Sequence, residues 1–174
     1  MSELILIKPT MAYGEQIWSY RQVFLERGDS LDGTSRLKEA ESVQWWLDDI
    51  EQNRHEETVI EGFVPATSYL AVRESDDKVV GMIQVRHRLN DFLLNFGGHI
   101  GYSVHPNERK KGYATQMLRL TLEKYRKELD LTKVLITCDK ANVGSWRAIE
   151  KNGGRLENEY EKEGMTIQRY WIAI

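Results

Sequence analysis

The stretch "GYSVHPNERKKGYATQML", residues Gly101–Leu118, decides the fold. An apolar strand reaches Pro106, four charged residues follow, and Gly112 then opens a long amphipathic helix. A plain strand-to-helix turn needs neither three cations nor a glycine beside them. The free backbone N–H groups in the first turn of a helix lie at the positive end of its dipole, where they bind anions. The order of these elements therefore predicts an anion site at the start of this helix.

The residue types in this turn suit an anion. Gly112 has no side chain and lets a bulky anion approach the backbone, while Ala114 keeps the next turn small. Arg109, Lys110 and Lys111 add positive charge. The alternative is a solvated loop, which is the usual meaning of a charged run taken alone. The combination of strand, proline, cations, glycine and helix favours the anion site.

The rest of the chain alternates between strand and helix patterns. We predict strands over residues 4–8, 67–75, 78–89, 98–104, 133–138, 155–160 and 166–172, and helices over residues 11–27, 36–52, 114–129 and 143–152. The order is β-α-α-β-β-β-α-β-α-β-β, without repeats or a linker. We therefore expect one α/β domain over residues 1–174.

Composition narrows the class of protein. The chain has 174 residues, with 24 Lys and Arg against 27 Asp and Glu, so its net charge of −3 argues against nucleic acid as a partner. The single cysteine, Cys138, suits a reducing cytosol. The amino terminus holds four apolar residues in a row, too few for a signal peptide, and no segment approaches the roughly 18 of a membrane span. We expect a cytoplasmic protein with no membrane partner.

Two stretches carry a resemblance to a known family. The segment "VHPNERKKGYA" resembles motif A of the GNAT superfamily of acyl-CoA-dependent N-acetyltransferases, [QR]-x-x-G-x-[GA], with Arg109, Gly112 and Ala114 at the matching positions. The segment "NVGSWRAIEKNGG", Asn142–Gly154, is similar to the family's later N-x-x-[SA]…EK-x-G segment. The resemblance implies a single-domain GNAT-like α/β fold. Its mixed, mostly antiparallel central sheet would be splayed at the cofactor cleft and flanked by helices.

The same resemblance implies an enzyme. It would transfer an acetyl group from its cosubstrate acetyl-CoA to an amine, by direct attack through a tetrahedral intermediate and without a metal. A module that binds CoA without turnover is the alternative. The acceptor would be a small-molecule or peptide amine, and its identity stays open.

The resemblance also implies which residues meet the cosubstrate. The pyrophosphate would lie on the backbone of motif A, and the pantetheine arm in a cleft between the strand ending at Val104 and the strand over residues 133–138. Asn142 would contact the arm, although this residue is equally suited to capping a helix. The implied cofactor-binding residues are Ser103, Val104, Arg109, Lys110, Lys111, Gly112, Tyr113, Ala114, Thr115, Asn142 and Ser145.

Acetyl transfer needs a base and an oxyanion donor. A lysine-type amine has a pKa of about 10.4, so something must accept its proton before the amine attacks. His99 is the first candidate base, because it lies on the strand entering motif A and an imidazole titrates near neutral pH. A structural histidine is the alternative. The backbone N–H of Val104 is a candidate oxyanion donor.

The general acid is not assigned by the pattern. Many family members place a tyrosine in the second motif as this acid, but "AIEK" puts Ile149 at that position. Cys138, near the acyl end of the cleft, and Tyr160 are the remaining candidates. The alternative for Cys138 is a small buried apolar residue.

The predicted binding site for the acceptor amine is supported by fewer residues than the cofactor site. Asp29 and Asp32, in the loop "RGDSLDGTS", would meet an ammonium group, and one of Trp45 and Trp46 would line the pocket. The alternative is an ordinary surface loop beside a core and a surface tryptophan. The last strand, "TIQRYWIAI", suggests pairing between two copies of the chain and hence a homodimer.

Overall fold

A computed structural model describes residues 3–174. The strands are β1 (Leu4–Ile7), β2 (Ala66–Arg73), β3 (Lys78–Arg86), β4 (Ile100–Val104), β5 (Lys133–Asp139), β6 (Arg155–Lys162) and β7 (Met165–Ala173). The helices are α1 (Gly14–Arg27), α2 (Val43–Gln52), α3 (Tyr113–Glu128) and α4 (Val143–Lys151). The predicted order of strands and helices is confirmed. Over residues 3–174, none of the helices combines the length and the hydropathy that crossing a membrane requires.

The strands form two antiparallel sheets that meet at one point. Strands β1-β2-β3-β4 lie side by side in one sheet, and β5-β7-β6 form the other. A bridge between Gly98, just before β4, and Ile136 of β5 links the two sheets. Within residues 3–174, β4 and β5 are not paired beyond this bridge, so the sheet is splayed there as predicted, and the space between the two strands is called the cleft.

Helices cover one face of both sheets and the second face of the β1-β2-β3-β4 sheet. One apolar cluster joins α3 and α4 to the sheet and includes Ile100, Met117, Leu122, Ile136 and Ile149. A second cluster joins α1 and α2 to the opposite face and includes Ile17, Phe24, Trp46, Leu70 and Met82. The helical spacing of the apolar residues in each helix accounts for these buried faces.

The second helix is shorter than predicted. It begins at Val43 rather than Arg36, because the Ser42 side chain accepts a hydrogen bond from the Trp45 N–H at 3.1 Å and caps the helix there. The preceding residues form turns, and the Thr34 carbonyl accepts a hydrogen bond from the Trp46 indole at 2.8 Å. Trp46 is therefore a core residue, while Trp45 is half-buried.

The last strand does not offer an edge for pairing between two copies of the chain. β7 lies between β5 and β6, so both of its edges are hydrogen-bonded within the chain. Of the two carboxyl-terminal strands it is β6, not β7, that has an outer edge, and the homodimer stays a prediction.

Candidate active site

The turn before α3 has the backbone of an anion site. Lys110 and Gly112 take φ values of 63° and 80°, in the left-handed region, and these values turn the chain sharply into the helix. No side chain of the described residues caps α3. The backbone N–H groups of residues 112–115 meet no hydrogen-bond acceptor among residues 3–174. These donors point out of the helix start, as phosphate oxygens require.

A buried carboxylate holds this turn in place. The Glu108 side chain, 5% exposed, accepts hydrogen bonds from Arg73 Nη1 at 2.7 Å and Lys111 Nζ at 2.7 Å, and lies 3.1 Å from Lys78 Nζ. Burial opposes the ionisation of Glu108, but the hydrogen bonds from Lys111, Arg73 and Lys78 outweigh it and lower the pKa to about 2. Sequence reasoning missed this role, because Arg73 and Lys78 lie on β2 and β3, far from Glu108 in the chain.

The three cations of the turn are not equivalent. The Lys111 ammonium is engaged by Glu108, and Arg109 donates to Asp29 Oδ2 at 3.2 Å and to the Val104 carbonyl at 3.3 Å. Lys110 is exposed and makes no ion pair within residues 3–174. An anion at the helix start would therefore meet the charge of Lys110 and the exposed part of Arg109 rather than three free cations.

One edge of β4 faces the opening. The His105 N–H donates to the Val80 carbonyl in β3, and the His99 carbonyl accepts from the Arg86 N–H, so alternate residues of β4 direct their backbone groups towards β3. Ser103 belongs to this set, because it pairs with Met82. Val104 belongs to the other set, and its backbone faces the cleft. The backbone of Ser103 is therefore engaged by the sheet. The Val104 N–H makes no hydrogen bond within residues 3–174, while the Val104 carbonyl accepts the hydrogen bond from Arg109.

His99 lies at the junction of the two sheets. Its N–H donates to the Leu135 carbonyl at 2.7 Å, and its Nδ1 accepts from the Leu135 N–H at 2.9 Å. The ring is buried, which lowers the pKa of His99 to about 4, and the charge of Arg86 adds to this effect. A neutral ring with Nδ1 already engaged is a poor base near neutral pH, so this geometry favours the structural role.

The structure separates the two candidate acids. Tyr160 lies on β6, two strands away from the cleft edge of β5, and its ring packs on Phe96 with 5.6 Å between centroids. Cys138 lies on β5 next to α4. Burial raises the pKa of the Cys138 thiol to about 11, and the Ser145 hydroxyl opposes this rise. Of the two, only Cys138 is near the opening, and its thiol is protonated at neutral pH.

The start of α4 brings further polar groups to the cleft. Asn142 caps the helix by accepting a hydrogen bond from the Ser145 N–H at 3.2 Å. Its side-chain amide N–H groups donate to no residue between 3 and 174 and remain for another partner. The Ser145 hydroxyl lies 2.8 Å from the Tyr102 hydroxyl, which reaches across from β4. Sequence reasoning missed Tyr102, although strand alternation places it on the same face as Ile100.

The loop "RGDSLDGTS", which is predicted to meet the acceptor, packs on β4 through the backbone of Gly33. A Cβ atom on Gly33 would lie 2.4 Å from the Gly101 carbonyl oxygen and 2.5 Å from the Tyr102 Cα, so the loop backbone packs directly on the strand. Asp32, the preceding residue, is exposed and accepts a hydrogen bond from Ser30 at 2.7 Å. Asp29 is instead paired with Arg27 and Arg109. Asp32 makes no ion pair within residues 3–174, although its negative charge interacts with the half-buried Arg86 and raises the pKa of that guanidinium against the effect of burial.

Family comparison gives a match over most of the chain. The model of the family described as "Acetyltransferase (GNAT) domain" matches residues 24–155. A curated relative, the uncharacterized N-acetyltransferase YnaD of Bacillus subtilis strain 168, is 31% identical over 100 residues. The aligned part covers 56% of this chain and 55% of YnaD, so the chain spans about half the length of this curated relative.

Solved structures share the whole fold at lower identity. A GNAT-family acetyltransferase from Bacillus anthracis aligns over 99% of this chain and 96% of its own, with 20% identity and a TM-score of 0.65. RimL, a ribosomal L7/L12 α-N-protein acetyltransferase in complex with coenzyme A, aligns over 100% and 96% with 17% identity and a TM-score of 0.69. Mycobacterium smegmatis RimJ in complex with CoA-disulfide aligns over 98% and 81% with 16% identity and a TM-score of 0.68.

Proposed function

The chain belongs to the GNAT acetyltransferase family, and we propose that it transfers an acetyl group from acetyl-CoA to an amine. The observation that carries this proposal is the row of free backbone N–H groups at the start of α3, beside the opening between β4 and β5. When bound, acetyl-CoA supplies the activated acetyl group. We also propose the cytoplasm as the place of the reaction, since the lone Cys138 suits a reducing compartment.

Different residues around the cleft bind different parts of acetyl-CoA. The N–H groups of Gly112–Thr115 bind the pyrophosphate, and Lys110 and Arg109 add positive charge. The backbone of Val104 pairs with the pantetheine arm along the free edge of β4, and the Asn142 amide meets the arm from α4. Ser103 supports the strand from the opposite face, where its hydroxyl lies 2.9 Å from the buried Tyr20 hydroxyl.

The reaction is a direct attack of a neutral amine on the acetyl carbonyl, through a tetrahedral intermediate. The N–H of Val104 stabilises the developing oxyanion. Neither imidazole near β4 is suited to deprotonating the amine, since burial lowers the pKa of both His99 and His105. The amine proton therefore passes to water, and Asp32 holds the amine at the mouth of the cleft.

This lack of a strong base favours one class of acceptor. A peptide α-amine has a pKa of about 7.7–8.0 and is partly neutral at physiological pH, whereas a lysine-type amine has a pKa of about 10.4. RimL is named as an α-N-protein acetyltransferase, which fits the same class. We therefore favour the amino terminus of a peptide or protein over a side-chain amine.

The test of cosubstrate binding is a thermal unfolding titration with acetyl-CoA, CoA and ATP in separate series. Ligands that bind the native state raise the midpoint once their concentration exceeds Kd. We expect a rise with acetyl-CoA and with CoA, but not with ATP. No rise with either CoA species would overturn the proposal, and an equal rise with ATP would reduce the site to a general phosphate site.

The second candidate function is a module that binds CoA without turnover. It is favoured by Ile149, which stands where the family's acid would be and is 0% exposed in the core. Release of free thiol from acetyl-CoA in the presence of an amine distinguishes the two functions, because only the enzyme releases thiol.

A further inference from the structure

Arg86 is a cation that forms no ion pair within residues 3–174. It is half-buried at the end of β3, where its Nη1 donates to the Gly97 and Gly98 carbonyls at 3.1 Å each. Burial lowers the pKa of this guanidinium, and the charge of Asp32 opposes the shift. A cation partly removed from water is unfavourable unless another group compensates its charge, so this position favours an anionic ligand.

The N–H groups of Arg86 show which side of the guanidinium can bind a ligand. A guanidinium has five N–H donors, and the two on Nη1 are used by the Gly97 and Gly98 carbonyls. Nε and Nη2 donate to no residue between 3 and 174, and both remain accessible to solvent, unlike the buried Arg169 Nε. Together they form a planar fork that matches the two oxygens of a carboxylate.

The Arg86 guanidinium lies next to the loop that we propose holds the acceptor amine. The Arg86 N–H donates to the His99 carbonyl, so the two residues are neighbours across β3 and β4. Arg86 Nη2 lies 3.6 Å from the position of a Cβ atom on Gly101, and the backbone nitrogen of Gly33 lies 3.3 Å from the same position. The guanidinium and the Gly33 backbone therefore adjoin one residue of β4, and Asp32 directly precedes Gly33.

Gln84 adds a second polar side chain on this face of the sheet. It lies two residues before Arg86 on β3 and pairs with Gly101, so strand alternation directs both side chains to the same face. Gln84 is only 8% exposed, yet its amide makes no hydrogen bond within residues 3–174 and is not sealed from solvent. Buried amides are usually hydrogen-bonded, so Gln84 provides a free donor and acceptor beside the cation.

We propose that Arg86 determines acceptor specificity by binding the carboxylate of an acidic side chain in the first two residues of an acceptor peptide. This inference rests on the proposed function, in which Asp32 holds the α-amine. Since the Arg86 guanidinium and the residue after Asp32 both adjoin Gly101, the carboxylate must lie close to the amine. A side chain on the first or second residue meets this requirement. Arg86 contacts no reacting atom, and its charge does not change during the reaction.

The test measures thiol release from acetyl-CoA with pairs of lysine-free peptides that have an amidated carboxyl terminus. The members of a pair differ only in one side chain, glutamate or glutamine, at the first position or at the second. Hydrogen bonds to charged groups are stronger than neutral ones, so we expect the unaltered protein to prefer glutamate in kcat/KM by about tenfold or more in at least one pair.

Two substitutions of Arg86 test whether this residue causes the preference. Arg86→Gln should lower kcat/KM for the glutamate peptide to that for the glutamine peptide, with little change for the latter. Arg86→Lys should retain part of the preference, because lysine keeps the charge but lacks the fork. Calorimetric titration with CoA checks that each variant still binds the cosubstrate. If Arg86→Gln does not fold, the reduced preference of Arg86→Lys decides.

Arg119→Gln is the matched control. It removes the same charge from an exposed pair with Glu123 on α3. We expect its preference for glutamate to equal that of the unaltered protein. An equal loss of preference in this variant would trace the effect to the net charge of the protein and overturn the inference.

The outcomes separate the inference from the proposed function. If Arg86→Gln lowers kcat/KM equally for both members of each pair, Arg86 only supports the backbone of Gly97 and Gly98, and the inference is overturned. The same holds if the unaltered protein does not distinguish glutamate from glutamine in either pair. If acetyl-CoA binds but no peptide or small amine causes thiol release, the proposed function itself fails, and the inference fails with it.

Discussion

At the scale of single residues, Gly112 decides whether the start of α3 can receive a phosphate. Its φ of 80° lies in the left-handed region, where a Cβ atom is strained by about 1 kcal/mol. We predict that Gly112→Ala lowers CoA affinity about tenfold, because it displaces donors that bind a charged group. Calorimetric titration with CoA measures this effect.

Gly164→Ala is the control for this change. Gly164 has the same φ of 80° but lies in the turn between β6 and β7, with nothing within 4 Å of an added Cβ atom. Both variants should lose similar stability, and only Gly112→Ala should lose CoA affinity. Equal CoA affinity in the two variants would remove α3 from the binding site.

His99 gives a prediction about pH. Its pKa is about 4 in the folded protein and 6.5 when unperturbed, so the unfolded chain binds the proton more readily between these values. Stability contributed by the neutral ring is therefore complete above pH 6.5 and declines as the pH falls towards 4, by on the order of 3 kcal/mol in total.

We predict that His99→Asn flattens the fall of the unfolding free energy between pH 6.5 and pH 4. Asparagine keeps an acceptor for the Leu135 N–H but does not titrate. Urea denaturation at several pH values measures the difference between the variants, which cancels the contributions of His87 and His105. A shift in the acidic limb of the kcat/KM profile of this variant would instead support His99 as the base.

Sequence patterns identify some of these residues and miss others for a physical reason. Arg109, Gly112 and Ala114 follow from local spacing, because a helix start is a local structure. Tyr102 meets Ser145 across 43 residues, and this contact depends on how β4 and α4 pack. A single sequence carries no local signal for such a contact.

At the scale of elements, the loop over residues 28–35 depends on a backbone contact with β4. Gly33 has a φ of 73°, and an added Cβ atom would collide with the backbone of Gly101 and Tyr102. We predict that Gly33→Ala destabilises the protein by about 2–4 kcal/mol, from left-handed strain and overpacking. It should also raise the KM for the acceptor several-fold more than the Kd for CoA.

Gly28→Ala is the matched control within the same loop. Gly28 has a φ of 68°, but an added Cβ atom would have nothing within 4 Å. Its cost should be about 1 kcal/mol, with little change in KM. If the two variants behave alike in denaturation and kinetics, the loop contact does not shape the acceptor site.

The elements also show where sequence patterns stop short. The helical spacing of apolar residues continues from Leu37 into α2, and this spacing predicts a helix that starts at Arg36. The observed start at Val43 follows from the Ser42 cap and from turns that bring Thr34 to Trp46. The capping residue decides where this helix begins, and the spacing of apolar residues alone does not identify which residue is the cap.

At the scale of the whole molecule, the fold makes its cleft by joining two sheets at one point. The order of elements was predictable, because each element has its own local pattern. The width and lining of the cleft were not, because they depend on the contact of His99 with Leu135 and on side chains that cross between the sheets. We therefore expect CoA binding and acetyl transfer to be separable properties of this protein.

The most direct test is release of free CoA thiol from acetyl-CoA with two matched peptides. One peptide has a free amino terminus and no lysine, and the other has an acetylated amino terminus and one lysine. We predict thiol release above the uncatalysed rate with the first peptide, together with the mass of one added acetyl group. If acetyl-CoA raises the unfolding midpoint but neither peptide nor any small amine causes thiol release, the protein binds CoA without turnover and the central claim is wrong.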